Sequence, residues 1–427
     1  MTRRVVITGL GTVNPLGACV ADFWTACLAG TSGVRQIDEF AIPATMSRVA
    51  GVVDLDWAGG RALGADLADP HGLDRSVRFA VTAAREALAD AQLTQEDLLA
   101  LRPDRAAVSM STAIAGIARM EAIFVADTER GTRPLRPATR RSHDGAAFLF
   151  DTTSAIVAQA LDLPGEHVTV ATGCTGGVDA VAHAATAIRR GVAELVVTGA
   201  SEAPITPLVV GAFAKINATS LRNDDPPGAS RPWSRDRDGF VLAEGSGMCV
   251  LESLEHAQAR GAPILAELTG SSSVNNCFHM TSMPADGAPI ARSVRLALVD
   301  AGLTPEHIDC INAHGSSTPM NDQAESNAFS SVFGERADQI PCTSIKSQTG
   351  HALSAANAIE LVASVLTLRH GRMPPTLNHD DPDPRCRLNV VRQAQDVPGA
   401  AHLLKTTSGF AGLHSSLVLS RYEGVLT

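Results

Sequence analysis

A chain of 427 residues, 45% hydrophobic and 19% charged, exceeds an ordinary single domain, yet no linker-like stretch divides it. Its formal net charge of −10 excludes a general nucleic-acid binder, which needs a basic face against phosphates. No stretch is long and apolar enough to span a membrane, and Gly9, Gly11 and Pro15 interrupt the first apolar run, so a cytoplasmic protein is expected.

The first element is a strand at Val5-Val6-Ile7 running into Gly9-Leu10-Gly11. A strand followed by Gly-x-Gly invites a dinucleotide site, but Asn14 stands where the fingerprint needs its third glycine, and that reading is set aside. An amphipathic helix follows, and it has a second copy. Arg75-Ser76-Val77-Arg78 recurs as Arg292-Ser293-Val294-Arg295, and the segment Ala87–Glu96 recurs as Ala297–Glu306. Each copy ends in a turn, offers a threonine (Thr94, Thr304) as the next N-cap, and leads to a short strand, Ala106–Met110 or Cys310–Ala313. The parallel continues. A β-rich run, Val168–Ala171, precedes Gly173-Cys174 and a helix reaching Arg189-Arg190-Gly191. Its counterpart is Thr343–Ile345, a polar glycine-containing loop, and a helix reaching Arg369-His370-Gly371. The shared order predicts two duplicated α/β halves, residues 1–255 and 256–427, meeting near Glu252–Ile264. In such sheets ligands gather at strand ends, where loops from both halves converge.

Of eight scattered cysteines none forms a Cys-x-x-Cys pair, so no zinc or redox motif is present. Cys174 differs from the rest because a β run stops at it and a helix begins at once. A thiol there faces unpaired N–H groups and the positive end of the helix dipole, both of which favour thiolate. The flanking glycines leave room for a substrate carbonyl. Two of the 13 histidines also stand apart: His314 in Asn312–Pro319 and His351 in Lys346–His351, each in a Gly/Ser/Thr turn at a strand end. One is preceded by a scarce residue, since Lys215, Lys346 and Lys405 are the chain's only lysines. Two imidazoles beside a thiol suit N–H donation to an enolate or oxyanion, and their spacing is a poor zinc pattern.

These motifs, with Ile7–Gly11, Asn14–Gly17, Arg231-Pro232-Trp233, Arg237–Leu242 and Ser408-Gly409-Phe410, resemble the β-ketoacyl-acyl-carrier-protein synthase family along essentially the whole chain. The resemblance implies a thiolase-like fold whose halves form a layered α-β-α-β-α core. It implies a decarboxylative Claisen condensation in which Cys174 carries the acyl group and His314 and His351 stabilise the enolate. Lys346 and Glu325 would hold the histidines in position. The N–H groups of Cys174 and Phe410 would form the oxyanion hole, with Phe410 also gating the acyl pocket. Thr281, Ser316 and Thr318 match positions that bind the pantetheine arm. No metal and no free cofactor is implied, because substrates arrive on the phosphopantetheine of an acyl-carrier protein.

Within the family, Thr172–Thr175, Asn223–Pro226 with Ala229–Pro232, Val241–Gly245 and Phe278–Thr281 resemble the ketosynthase-alpha subunits of type II polyketide synthases. Such subunits pair with a chain-length factor lacking the cysteine, so a heterodimer is expected. The alternative is a homodimeric fatty-acid synthase II. Cys174 argues against a non-catalytic chain-length-factor-like subunit, and a degradative thiolase would need a second cysteine near the C-terminal loop. That loop departs from the family's Gly-Phe-Gly-Gly by reading Gly409-Phe410-Ala411-Gly412-Leu413-His414. Alanine resists positive φ, so a stiffer or displaced loop is expected. Finally, Arg130, Arg133, Arg136, Arg140 and Arg141 form a basic run suited to an acidic carrier protein, a dimer-interface arm or a solvated loop.

Overall fold

The computed structural model describes residues 3–54, 73–134 and 146–423. Eleven strands form one sheet: β1 (Val5–Val13), β2 (Ala106–Ser111), β3 (His167–Val170), β4 (Leu195–Glu202), β5 (Gly245–Ser253), β6 (Ala266–Asn275), β7 (Cys310–Asn312), β8 (Pro341–Thr343), β9 (Asn389–Val390), β10 (His402–Gly409) and β11 (Leu413–Ser420). Their spatial order is β9-β8-β7-β10-β11-β6-β1-β5-β4-β2-β3. Six helices position the site: α1 (Arg75–Asp90), α2 (Gly176–Arg189), α3 (Ala288–Ala301), α4 (Pro319–Phe333), α5 (Lys346–Thr349) and α6 (Leu353–His370).

The duplication seen in the sequence reappears as topology. The series β3-β2-β4-β5-β1 pairs parallel, parallel, antiparallel, antiparallel. The series β8-β7-β10-β11-β6 repeats that pattern, and β1 meets β6 through two residue pairs only, Val6↔Glu267 and Ile7↔Ala266. Even the irregularities correspond. Strand β1 skips Thr8 against β5, and β6 skips Thr269 against β11, each just before a glycine. Those glycines set the helix approach. A Cβ on Gly9 would lie 2.1 Å from the Ala87 carbonyl oxygen of α1, and one on Gly270 would lie 2.2 Å from that of Ala297 on α3. The Gly-x-Gly of β1 therefore serves helix packing.

Strand alternation sorts the layers. Val196 and Leu251 join a central core with α2 and α6, whereas Val197 and Val250 face α1. In the other half Leu403 and Leu417 face the central helices, and Leu404 and Val418 face α3 and α4. The result is five layers: α1, sheet, α2 with α6, sheet, α3 with α4. Helix α6 is buried continuously from Leu353 to Leu368. Its polar members within that span, Ser354, Asn357, Glu360, Ser364 and Thr367, have no solvent face and must find partners inside.

Two local expectations need correction. Strand β8 ends at Thr343 and does not reach Ile345, and the segment after it is not a plain loop. Buried from end to end, it closes its own backbone bonds as the one-turn helix α5, with Thr349 N donating to Ile345 O at 2.9 Å and Gly350 N to Lys346 O at 3.0 Å. Among the described residues no helix is long and apolar enough to cross a membrane. Of the basic run, Arg130 and Arg133 are exposed, and Arg133 pairs with Glu129 at 2.7 Å. Arg136, Arg140 and Arg141 lie outside the described residues.

Candidate active site

Cys174 sits in the turn between β3 and α2. Gly173 takes φ +61° there, with nothing within 4 Å of where its Cβ would lie, so backbone conformation and not crowding asks for glycine. Behind it the packing is tight: a Cβ on Gly176 would come within 1.9 Å of Ser111 Oγ, and one on Gly177 within 2.6 Å of Asn357 Oδ1. The Cys174 carbonyl accepts from Thr407 Oγ1 at 3.1 Å and from the Asn357 side-chain amide. The Phe410 backbone N–H favours the ionised form of the thiol. The thiol is not a resting thiolate, contrary to the dipole argument. Burial pushes it up to about 11, Lys346's charge draws it back only partly, and Glu202's carboxylate raises it further. Enclosure outweighs the helix terminus.

His314 is clamped through its backbone. Its N–H donates to Glu325 Oε1 at 2.7 Å, the next N–H (Gly315) donates to Glu325 Oε2 at 2.9 Å, and its carbonyl accepts from Lys346 Nζ at 2.7 Å. Thr406 Oγ1 donates to Glu325 Oε1 at 2.8 Å. His314 Nδ1 lies 3.3 Å from Thr407 Oγ1, so one hydroxyl touches both the Cys174 carbonyl and an imidazole. His351 is anchored by its N–H to Val241 O at 2.7 Å and stands edge-on to Phe240, ring centroids 5.2 Å apart. The two imidazoles are 5.4 Å apart at 82°. Burial first, then the Lys346 ammonium, holds both well below the ordinary histidine range, so both are neutral.

Lys346 and Glu325 reach His314 from opposite sides of its backbone. The ion-pair partner of Lys346 is Glu360 of α6, which also holds Lys405 at 2.8 Å. Neither Glu360 nor Lys405 was singled out as a site residue from sequence, nor were Thr407 and Asn357. The available signals are Glu360 as the one charged residue between Leu353 and Leu368 and the scarcity of lysine.

At the C-terminal loop, Ala411 does adopt positive φ, +62°. The neighbouring segment holds it there: Ala411 N donates to Met280 O at 2.6 Å, and Asn275 Nδ2 donates to Ala411 O at 2.7 Å. His414 Nδ1 lies 2.9 Å from Ser408 Oγ, and burial pushes this imidazole down to about 4. Phe410 is partly exposed, with its ring centroid 6.5 Å from that of Phe213.

A cavity of about 460 Å³ collects these groups. Seven of the nine sequence-selected residues line it: Cys174, Thr281, His314, Ser316, Thr318, His351 and Phe410. Ser316 Oγ and Thr318 Oγ1 are 2.8 Å apart. Lys346 and Glu325 stand behind the wall, buried.

A duplicated α/β fold with one cysteine and two neutral imidazoles on a shared cavity defines a condensing enzyme of the thiolase type. The chain belongs to the beta-ketoacyl synthase family, matching its N-terminal domain over residues 2–257 and its C-terminal domain over residues 265–380. It is 41% identical to the tetracenomycin polyketide synthase ketoacyl synthase alpha subunit of Streptomyces glaucescens, over 98% of this chain and 97% of that protein. It is 39% identical to 3-oxoacyl-[acyl-carrier-protein] synthase 2 of Coxiella burnetii, over 98% and 99%. A solved type II polyketide synthase ketosynthase, in complex with its acyl-carrier protein and bound to the hexaketide, superposes with a TM-score of 0.91 at 40% identity, covering 99% of this chain and 100% of that one. The ishigamide ketosynthase/chain length factor gives a TM-score of 0.88 at 33% identity, with the same coverage.

Proposed function

We propose that this enzyme is the catalytic subunit of a type II polyketide synthase, joining an acyl chain to malonyl-acyl-carrier protein. The observation that carries the reading is the convergence of Cys174, His314 and His351 on one cavity, which Phe410 also lines. Cys174 Sγ attacks the incoming thioester carbonyl. The new C–S bond forms, the pantetheine thiol leaves with the proton, and the N–H groups of Cys174 and Phe410 donate to the transient oxyanion. Malonyl thioester then loses CO₂, and the bond's electron pair becomes an enolate whose oxygen accepts N–H bonds from His314 and His351. Neutral imidazoles suit this role, since they donate without protonating the carbanion. The carbanion attacks the acyl-enzyme carbonyl, the new C–C bond forms, and the Cys174 C–S bond breaks, its thiolate taking a proton from solvent to restore the thiol.

Lys346 and Glu325 fix His314 from its carbonyl and amide sides. Thr281, Ser316 and Thr318 would bind the pantetheine arm, and no free cofactor is required. Residues 1–255 then form the half that supplies the nucleophile, and residues 256–427 the half that supplies the histidines. A chain-length-factor-like partner is supported by the alpha-subunit relative and by the ketosynthase/chain length factor structure. Free thiols throughout fit a cytoplasmic enzyme. The second reading, a homodimeric fatty-acid enzyme, is favoured by the Coxiella relative. Incubation with malonyl-carrier protein, with and without a partner subunit, and mass spectrometry of carrier-bound products decides between them. Full activity alone with saturated fatty acyl products supports the second reading, and partner-dependent poly-β-keto products support the first.

A further inference from the structure

The ionic groups behind the histidine pair exceed what the chemistry above uses. Lys346 and Lys405 are both fully buried, and both reach Glu360, one at each carboxylate oxygen. An ammonium buried in a strand is costly unless it is paired, and one carboxylate cannot neutralise two. The nearby Glu325 has its oxygens engaged by the His314 and Gly315 amides and the Thr406 hydroxyl. Those donors are neutral and leave the Glu325 charge facing Lys405, so two ammonium groups and two carboxylates make one buried cluster behind the histidines. Strand β10 aims three successive residues at the site: Lys405 at Glu360, Thr406 at Glu325, and Thr407 at Cys174 and His314.

We infer that Lys405 is a positioning residue for the condensation: by holding Glu360 Oε2 it sets Oε1 to fix Lys346 against the His314 carbonyl, and it places a second ammonium behind the imidazoles where the enolate forms. A methionine would fill the same space without charge, so volume alone does not explain a lysine here. The groups that face Lys405 are Glu360 on α6, Lys346 on α5, Glu325 on α4, His314, His351 and the Cys342 thiol of β8. Burial lowers Lys405 to about 8, which leaves it charged at neutral pH. While charged it helps hold His314 and His351 neutral. Removing its charge lets the histidines rise toward their ordinary range, so they protonate, and activity fails, at higher pH than in the wild type.

This inference rests on the decarboxylative reading, and one experiment separates the two. Wild type, Lys405→Met and Lys405→Arg are assayed for decarboxylation of malonyl-carrier protein as a function of pH. Lys405→Met is expected to lower kcat about tenfold at unchanged KM, to move the acid limb to higher pH and to abolish an alkaline limb near 8. Lys405→Arg is expected to recover kcat and displace the alkaline limb upward. A Lys405→Met enzyme with wild-type kcat, or one that loses kcat with both limbs in place, overturns the inference. If Lys405→Met does not fold, Lys405→Gln carries the same readout. A wild type that does not decarboxylate malonyl-carrier protein defeats the parent reading instead.

Discussion

The turn after β3 and the turn after β8 occupy equivalent places in the two halves, and they hold opposite chemistry. Each follows a strand, contains a positive-φ glycine (Gly173 at +61°, Gly350 at +75°) and feeds a central helix. The first presents a thiol to the cavity, while the second buries Lys346 and brings His351 to the wall of the same cavity. The two halves thus offer two matching slots, one holding the thiol of the proposed nucleophile and the other a buried lysine and an imidazole. The fold accounts for the meeting of the two slots, and the side chains account for the reaction.

Substitutions that break this division should differ in size. Cys174→Ala strikes the first slot and is expected to cut condensation by a factor on the order of 10⁴ or more, measured by single-turnover formation of the β-ketoacyl product. His351→Ala strikes the second. It is expected to slow decarboxylation by about 10³, followed by CO₂ release, while Cys174 still accepts an acyl group. A His351→Ala enzyme that can no longer be acylated would blur the division. The direction of the histidine shifts adds a pH signature. Groups held well below 6.5 stay neutral as pH falls through that value, so decarboxylation persists there and is lost only in clearly more acidic buffer.

Thr407→Val tests the hydroxyl that joins the two slots, which contacts the Cys174 carbonyl and His314 Nδ1. Its size is conserved, so a loss of about tenfold in kcat with an unchanged melting temperature is expected. The smallest effect belongs to the loop beside the thiol. Ala411→Gly removes the steric cost of positive φ but adds backbone entropy to the unfolded chain, so thermal unfolding should register a stabilisation no larger than about 1 kcal/mol.

What the sequence revealed depended on how local the signal was. Cys174, His314 and His351 each stand in short turns of small residues at strand ends, a pattern readable within ten positions. The duplication was legible because two helices kept the same register of alanine and leucine. Glu360 and Lys405 were not legible as a pair, since α6 and β10 bring together residues 45 positions apart. The thiol's state departs from the local expectation for a related reason. The dipole of α2 is a local feature, whereas the enclosure that outweighs it comes from β10, α6 and the Phe410 loop. The shape of the Ala411 turn was also set from outside, by Met280 and Asn275.

The division between the slots is tested most directly by peptide mapping of the acyl-enzyme by mass spectrometry. Enzyme incubated with an acyl-carrier thioester alone should carry the acyl group on Cys174 and on no other cysteine. Addition of malonyl-carrier protein should discharge it as a β-ketoacyl-carrier product. Acylation at another residue, or condensation surviving in Cys174→Ala, would contradict the account.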